Sequence, residues 1–277
     1  MLWQSGFPPV KNKMRIDLYL TEQGYVQSRQ RARALIDGGG VTLDGKVVTK
    51  ASMQVCEGEH QIEIRDDIRY VGRGGLKLEG ALDAFRLSVS GMLALDIGAS
   101  TGGFTDCLLS KGAAEVWAVD AGEGQLAARL AADPRVHSIE RRNARELELS
   151  EIGGREVDLI VMDVSFISAT CILPRFPFLL RDGGHAIVLI KPQFELVKSK
   201  IGKGGIVKDG RAHREAVERV LDAGAGLGLC PVGLIPSPIT GGDGNREFLV
   251  HFIRGSESGS RISAEHIRRV TGARTPN

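Results

Sequence analysis

The sequence has few cysteines, no long apolar segment and almost no excess of charge. Its four cysteines are scattered and form no Cys-x-x-Cys pair. This argues against a disulfide framework and a zinc site, and it predicts a chain kept in the reducing cytoplasm. No apolar run approaches the roughly 18 residues of a membrane helix, and the first residues lack the pattern of a signal peptide. We therefore expect no membrane segment and no metal.

The charge balance limits what a nucleic-acid surface could be. The 277 residues include 36 Lys and Arg against 34 Asp and Glu, a formal net charge of +2. The chain is thus no polycation, and any surface that binds nucleic acid must be a local patch.

Composition and periodicity divide the chain into five segments. The length suffices for two domains, and a hydrophobic content of 42% is ordinary for a globular protein. The predicted segments are a disordered lead over 1–13, a small module over 14–65, a linker over 66–75, a larger α/β domain over 76–254 and a flexible tail over 255–277.

The small module is predicted to place two helices before a hairpin. Apolar residues at helical spacing predict a helix over 14–20, and Ser28 is the predicted N-cap of a second helix. Asp44-Gly45 between two apolar runs is a strong hairpin signal, and alternation over 61–64 predicts a further strand.

Two arginines of the predicted second helix share one face. Arg29 and Arg33 are four residues apart, and no acid lies between Glu22 and Asp37 to neutralise them. Such a face can contact phosphate or can simply be solvated, and charge alone favours the solvated helix.

The module as a whole resembles the alpha-L RNA-binding fold of ribosomal, pseudouridine-synthase and tRNA-synthetase chains. The matching strings are Arg15-Ile16-Asp17, Ser28-Arg29, Ala34-Leu35-Ile36 and Val41-x-Leu43-Asp44-Gly45-Lys46-Val47-Val48. The resemblance implies that the second helix and the hairpin face structured RNA. The candidate RNA-binding residues are Arg15, Arg29, Arg33 and Lys46.

The larger domain is predicted to be organised around a glycine loop. An apolar run from Leu93 ends in Asp96, and a small-residue loop follows before helical spacing resumes at Phe104. This pattern is typical of a buried parallel strand that turns into a helix beside a ligand. The candidate residues of the loop are Asp96, Gly98, Ala99, Ser100, Gly102, Gly103 and Phe104.

A second acid supports a nucleoside cofactor at this loop. Asp120 ends the next apolar run, where an acid can bind both hydroxyls of a ribose. Either acid alone could merely start a turn or cap a helix. The loop pattern Asp-x-Gly-x-x-x-Gly-Gly differs from that of NAD-binding loops, and its acid suits a cationic ligand better than a pyrophosphate. The pattern thus favours S-adenosylmethionine and argues against an NAD- or flavin-dependent oxidoreductase.

Strands and helices then alternate through the rest of the domain. Apolar runs over 115–119, 136–139, 157–162 and 185–190 predict strands, and a long helix is expected around 213–225 before a terminal antiparallel pair. This rhythm predicts an α/β fold, a Rossmann-like sheet with helices on both faces.

Four charged residues are candidates for chemistry. Asp163, Lys191 and Glu247 adjoin apolar runs, and Lys77 lies at the start of a predicted helix. Charges at strand ends are costly unless paired, so we expect them to face one cleft. Each alone could form a structural salt bridge. Together they suit methyl transfer to a hydroxyl, with a lysine of lowered pKa as the base and acids that hold it in line.

The chain resembles the hemolysin A/TlyA family of ribosomal RNA 2′-O-methyltransferases, whose catalytic half is related to FtsJ-type methyltransferases. The similarity extends from about residue 15 to 252. The strings that match are Tyr70-Val71-Gly72-Arg73-Gly74-Gly75-Leu76-Lys77-Leu78, the loop from Leu95 to Asp106, Asp163-Val164-Ser165-Phe166-Ile167-Ser168, Ile190-Lys191-Pro192-Gln193-Phe194-Glu195 and Gly241-Gly242-Asp243-Gly244-Asn245-Arg246-Glu247.

The resemblance implies S-adenosylmethionine as the cofactor and cytidine riboses of ribosomal RNA as the targets, with ribosomal subunits as partners. It also implies that the family's Lys-Asp-Lys-Glu set is Lys77, Asp163, Lys191 and Glu247, and that Asp163 adjoins the cofactor. Asn143, just past the third strand, could bind the adenine or could equally be a turn residue.

Two other classes of function are a ribosome-binding factor and a membrane-lysing protein. A ribosome-binding factor without turnover could use the same two domains, although the acids, lysine and glycines of the site are all present. A membrane-lysing hemolysin would leave those residues unexplained.

Overall fold

The computed structural model describes residues 13–56, 60–65, 69–241, 244–255 and 262–272. The chain divides into two compact units, Met1–Arg69 and Tyr70–Asn277. The division falls inside the predicted linker over 66–75. The predicted lead lies outside the described residues except for Lys13.

The first unit combines two helices with two small sheets. Its elements are β1 (Lys13–Arg15), α1 (Ile16–Glu22), α2 (Arg29–Asp37), β2 (Val41–Leu43), β3 (Lys46–Val47), β4 (Gln54–Cys56) and β5 (Ile62–Ile64). β1 pairs with β4, and β2 lies between β3 and β5. All three pairings are antiparallel.

The local signals for this unit are confirmed at the cap and the hairpin. The Ser28 hydroxyl accepts a hydrogen bond from the backbone N–H of Arg31, which caps α2. Asp44 and Gly45 both have positive φ (51° and 74°) between β2 and β3, as the favoured two-residue turn requires.

The predicted start of the first helix is wrong. The prediction began the helix at Met14, but residues 13–15 form β1 and the helix starts at Ile16. Met14 pairs with Val55, so the strand depends on a partner about forty residues later. Local periodicity does not contain that information.

The second unit alternates strands with helices. Its strands are β6 (Leu93–Ile97), β7 (Glu115–Val119), β8 (Val136–Ile139), β9 (Val157–Met162), β10 (Leu180–Ile190), β11 (Leu229–Pro236) and β12 (Phe248–Arg254). Its helices are α3 (Gly74–Phe85), α4 (Gly103–Ser110), α5 (Ala128–Ala131), α6 (Phe176–Leu179), α7 (Pro192–Glu195), α8 (Gly210–Ala225) and α9 (Ala264–Thr271).

The seven strands form one sheet in the order β11-β12-β10-β9-β6-β7-β8. β6 to β10 are parallel, whereas β12 is antiparallel to both of its neighbours. The direction of winding reverses between β6 and β9. Ligands of such sheets bind in the crevice outside the carboxyl ends of the strands at this reversal.

Two apolar clusters cover the two faces of the sheet. One contains Leu95 and Phe176, and the other contains Leu78, Leu108 and Leu159. Burial on both faces explains why the parallel strands are nearly continuous apolar runs. The predicted fold class, a Rossmann-like α/β sheet after a small α+β domain, is confirmed.

The predicted flexible tail is wrong for residues 264–271, which form α9. Ser263 caps α9 by accepting a hydrogen bond from the His266 N–H. The apolar side of the helix, with Ile267 and Val270, packs into the cluster that also contains Leu229. Many residues of this segment are charged, so the helical spacing of its apolar residues Ile267 and Val270 did not lead to the prediction of a helix. The rest of the predicted tail beyond Gly255 lies mostly outside the described residues.

Candidate active site

The crevice between β6 and β9 begins at Gly98. Its φ is +83°, and a Cβ at this position would lie 2.5 Å from the carbonyl oxygen of Asp163. Only glycine allows both the backbone angle and this close approach. The end of β6 therefore lies directly against the end of β9.

A cavity of about 440 Å³ opens beside this contact, within the range of small-molecule sites, about 300–1,000 Å³. Some predicted residues line it, namely Gly98, Ser100, Asp120, Asn143 and Asp163. Residues without a predicted role line it too, among them Gln125, Arg142, Ser165, Phe166, Ile167 and Ile172. The wall is mainly apolar with a few polar groups, as is usual for a cofactor site.

Asp120 lies at the carboxyl end of β7 with its side chain half-buried in the cavity wall. One carboxylate oxygen accepts a hydrogen bond from the Ser100 N–H at 2.8 Å, and the other accepts from the Gly122 N–H at 2.7 Å. These bonds fix the carboxylate, whose remaining lone pairs are suited to hydroxyl groups.

Asp96 is buried behind the cavity and does not line it. Its Oδ2 accepts hydrogen bonds from the N–H and the hydroxyl of Thr105 at the start of α4, while its Oδ1 has no partner among the described residues. Burial raises the pKa of this carboxyl to about 7, because Asp163 and Asp120 add to the effect and the bonds from Thr105 only partly oppose it.

Four other residues of the predicted glycine loop make packing contacts inside the domain. Ala99 and Phe104 are buried in its apolar cluster. A Cβ at Gly102 would lie 2.3 Å from Leu130, and one at Gly103 would lie 3.0 Å from the Gly75 nitrogen. Ala99, Gly102, Gly103 and Phe104 do not contribute to the described cavity wall. The structure thus places them beneath the predicted cofactor site.

Asn143 is both a residue that caps a turn of helix and a residue of the cavity wall. Its Oδ1 accepts a hydrogen bond from the Arg145 N–H and so caps a short 3-10 helix. The same residue also lines the cavity. An adenine contact remains a prediction.

The four charged candidates converge at the carboxyl edge of the sheet. Lys77 Nζ lies 2.7 Å from Glu247 and 3.6 Å from Asp163, and Lys191 Nζ lies 2.6 Å from Asp163. Both lysine side chains are only 10% exposed. Two cations and two anions thus alternate in a nearly closed cluster, so their charges balance locally. We call Lys77, Asp163, Lys191 and Glu247 the Lys-Asp-Lys-Glu cluster.

The pKa of Lys77 is raised, whereas the sequence predicted a base whose pKa is lowered. Burial alone would lower its pKa, but the carboxylates of Asp163 and Glu247 outweigh burial and raise it. The same pairing acts on Asp163: burial opposes ionisation, yet the two lysines lower its pKa. Lys77, whose pKa is raised, therefore does not fit the predicted base of lowered pKa.

Two residues of the site were missed by the sequence reasoning. Ser165 accepts a hydrogen bond from Lys191 Nζ at 2.8 Å. Phe166 has a φ of +65° and is 92% exposed at the cavity rim, beside the Phe194 ring. Both lie two or three residues after Asp163, in one of the sequence strings that match the family. The family resemblance assigned no role to either residue. A bulky side chain with positive φ is strained, and such strain clusters at functional sites.

The predicted RNA-binding arginines of the first unit share one acid. Arg15, Arg29 and Arg33 lie 2.9–3.2 Å from the carboxylate of Asp17, which is fully buried. Burial would raise the pKa of Asp17, but the three guanidinium groups hold it well below its ordinary value. The expectation that no acid neutralises this face is wrong, because the acid comes from α1. Lys46 is exposed at the hairpin.

Among the described residues, none of the helices has the length and apolar character needed to cross a membrane. The same part of the chain contains no group of three or more potential metal ligands.

Family models match both units. That of the FtsJ-like methyltransferases matches residues 70–254, and that of the S4 domain matches residues 14–60.

Known proteins resemble the chain over nearly its whole length. It is 43% identical over 239 residues to the 16S/23S rRNA (cytidine-2′-O)-methyltransferase TlyA of Mycobacterium tuberculosis, which covers 86% of this chain and 89% of that protein. It is 41% identical over 240 residues to Hemolysin A of Brachyspira hyodysenteriae, covering 87% of this chain and all of that protein. A solved structure from Streptococcus thermophilus that carries a hemolysin name has 39% identity and a TM-score of 0.74, with 95% of this chain and 96% of that chain covered. The chain therefore belongs to the TlyA/hemolysin A family, in which an S4 domain precedes an FtsJ-like methyltransferase domain.

Proposed function

We propose that this protein transfers a methyl group from S-adenosylmethionine to the ribose 2′-hydroxyl of cytidines in ribosomal RNA. The relatives named for this reaction cover most of the chain. The strongest support from the structure is the Lys-Asp-Lys-Glu cluster, which adjoins a cavity of suitable size at the reversal point of the sheet.

The residues of the cavity fit S-adenosylmethionine. The fixed carboxylate of Asp120 can accept both ribose hydroxyls, and apolar residues such as Ile167 and Ile172 can hold the adenine. When bound, S-adenosylmethionine supplies the methyl group, which leaves its sulfonium as the sulfur becomes a thioether.

We assign the general base to Lys191. Lys77 faces two carboxylates and remains charged, whereas Lys191 faces one carboxylate and the neutral hydroxyl of Ser165. A base must give up its proton before it can accept another, so the lysine with fewer anionic neighbours is better suited.

The cluster then assigns a role to each group. The neutral amine of Lys191 takes the proton of the 2′-hydroxyl as the oxygen forms its bond to the methyl carbon. The ammonium group that results is stabilised by Asp163 at 2.6 Å. Lys77 keeps Asp163 ionised, since an unpaired buried carboxylate would become protonated, and it also pairs with Glu247 at 2.7 Å.

The S4 domain supplies a local basic patch for the RNA. Three arginines and one buried carboxylate leave a net charge of +2 on one face, and the guanidinium groups are about half-exposed. Because Asp17 fixes their positions, little side-chain freedom is lost when they bind phosphate. We propose this face as the principal RNA contact of the domain, with Lys46 adding to it. This proposal places the protein with ribosomal subunits in the cytoplasm.

Methyl transfer from labelled S-adenosylmethionine to isolated 30S and 50S subunits tests the proposal. Lys191→Ala should lower the rate at least about a hundredfold, as loss of a general base does. Lys111→Ala is the control, because Lys111 is likewise a lysine paired with carboxylates, Glu79 and Asp83, but it lies at the end of α4 outside the cluster. An alkali-resistant linkage in the labelled RNA would identify the 2′-oxygen as the acceptor.

Two outcomes would contradict the proposal. If the unmodified protein labels neither subunit while it still binds RNA, a binding factor without turnover explains the domains better. If Lys191→Ala transfers methyl groups as fast as Lys111→Ala, the base has been assigned wrongly.

A further inference from the structure

Lys191 is held at its tip by two different acceptors. Its Nζ lies 2.6 Å from Asp163 Oδ1 and 2.8 Å from the Ser165 hydroxyl oxygen. The backbone of Lys191 is constrained, because Pro192, the first residue of α7, restricts the residue before it. The contacts with Asp163 and Ser165 hold the amine itself and orient two of its N–H groups.

A count of bonds shows what the second acceptor adds. A lysine ammonium group has three N–H donors, and the neutral amine has two N–H groups and one lone pair. One acceptor fixes a single N–H, so rotation about the Cε–Nζ bond still exchanges the lone pair with the other N–H. Two acceptors occupy both N–H groups and leave the lone pair a single direction.

We propose that Ser165 is a positioning residue for methyl transfer, whose hydroxyl holds the second N–H of Lys191 so that the lone pair of Nζ is left for the ribose hydroxyl. The inference rests on the proposed function and adds a residue to it. Ser165 lines the cavity, and Asp163 supplies the other acceptor from the end of β9. The proton of the 2′-hydroxyl then moves to the lone pair without prior rotation of the amine.

A second serine of the same loop shows the contrast. Ser168 also uses its hydroxyl, but it accepts a hydrogen bond from the Thr170 N–H and contacts the Glu195 carboxylate. Those contacts hold the loop and do not involve Lys191. Ser168→Ala is therefore a control that removes a hydroxyl from the same loop without touching the amine.

Four variants of the full-length protein isolate the hydroxyl of Ser165. Ser165→Ala and Ser165→Val remove it, Ser165→Thr keeps it, and Ser168→Ala is the control. Threonine and valine have nearly the same shape, so any effect of bulk on folding or on the cavity is common to both. Rates of methyl transfer to ribosomal subunits would be measured across pH, together with the dissociation constant of S-adenosylmethionine.

We expect Ser165→Ala and Ser165→Val to lower kcat about tenfold, equivalent to one lost hydrogen bond, with KM for both substrates unchanged. The midpoint of the rise in activity with pH should move to lower pH, because the ammonium group has lost an acceptor that stabilised it. Ser165→Thr should stay close to the unmodified protein, and Ser168→Ala should keep its pH midpoint.

Different results would overturn different claims. Equal kcat and equal pH midpoints for Ser165→Thr and Ser165→Val would overturn the role of Ser165 and leave the proposed function intact. A loss confined to the affinity for S-adenosylmethionine would also overturn it. Absence of methyl transfer by the unmodified protein would overturn the proposed function, and this inference with it.

Discussion

The charged residues of the site differ in the charges of their nearest neighbours. Lys77 and Asp163 keep their charges because each faces groups of opposite sign. Asp96 has no cation in contact, so burial dominates and raises its pKa to about 7. Residues of the same crevice are thus held in different protonation states by their neighbours.

Asp96 should make the stability of the fold depend on pH. The folded carboxyl has a pKa of about 7, against about 3.9 in the unfolded chain. The folded state thus holds an extra proton between these values, and the stabilisation this gives is lost as pH rises toward 7. From pH 5 to 7.5 the unmodified protein should lose on the order of 2–3 kcal/mol relative to Asp96→Asn, measured by denaturant unfolding.

A surface carboxyl provides the control for this experiment. Hydrogen bonds from Arg135 hold the pKa of Asp133 at about 2, so it is ionised throughout the window. Asp133→Asn should change stability equally at pH 5 and 7.5. A pH dependence of Asp96→Asn that equals that of the unmodified protein would contradict the assigned protonation.

Phe166 should contribute to binding the target nucleotide. Its ring is exposed at the cavity rim on a backbone of positive φ, and it offers a stacking surface for an unstacked base. Stacking on an aromatic residue contributes about 1–3 kcal/mol per base, so Phe166→Ala should lower kcat/KM for ribosomal subunits at least about fivefold. Phe166→Trp should retain most activity.

Phe178 offers a matched control for Phe166. It is 62% exposed and lies against the Arg175 guanidinium, outside the described cavity wall. Phe178→Ala should leave methyl transfer unchanged. Equal losses in the two alanine variants would show that the exposed ring of Phe166 has no special part in the reaction.

At the scale of elements, Asp17 links α1 to α2 through the arginines. Because its pKa is lowered in the folded state, its contribution to stability is present above its unfolded pKa and is lost as pH falls. Asp17→Asn should speed amide hydrogen exchange in residues 16–37 of the full-length protein roughly tenfold. That corresponds to about 1–2 kcal/mol, less than for a fully buried pair because the arginines are half-exposed.

The matching control removes a charge from the same helix. Glu22 ends α1 and is exposed, so Glu22→Gln should exchange like the unmodified protein. If Asp17→Asn also exchanges at the unmodified rate, the arginines do not depend on Asp17 for their order. Asp17→Asn should further weaken RNA binding despite the added positive charge, because the guanidinium groups lose their fixed positions.

For the whole molecule, the sequence predicted those features that follow from the local spacing of apolar residues and from the positions where strands end. The runs that end at Val119, Ile139 and Met162 are strands with those limits, and parallel strands bring their carboxyl ends to one edge. That rule predicts that Asp163 and Lys191 lie close together, and their side chains are 2.6 Å apart.

What the sequence did not predict depends on distant partners or on side-chain direction. β1 needs β4, and α9 needs the surface that includes Leu229. The spacing also did not indicate that the absence of a Cβ at Gly102 allows packing against Leu130, while its predicted ligand contact stays a prediction. The bond from Lys191 to Ser165 depends on two side-chain orientations, which spacing does not encode.

The order of the strands also sets when the Lys-Asp-Lys-Glu cluster can be completed. β12 is the last strand among the described residues, but it lies between β10 and β11, and Glu247 directly precedes it. During synthesis from the N-terminus, some 170 residues therefore separate Lys77 from its nearer carboxylate, Glu247, and β11 has no strand to pair with until β12 inserts beside it. A nascent chain that ends before Glu247 lacks one of the four residues of the Lys-Asp-Lys-Glu cluster. The cluster is therefore complete only after the residues next to β12 have been made and β12 has taken its place between β10 and β11.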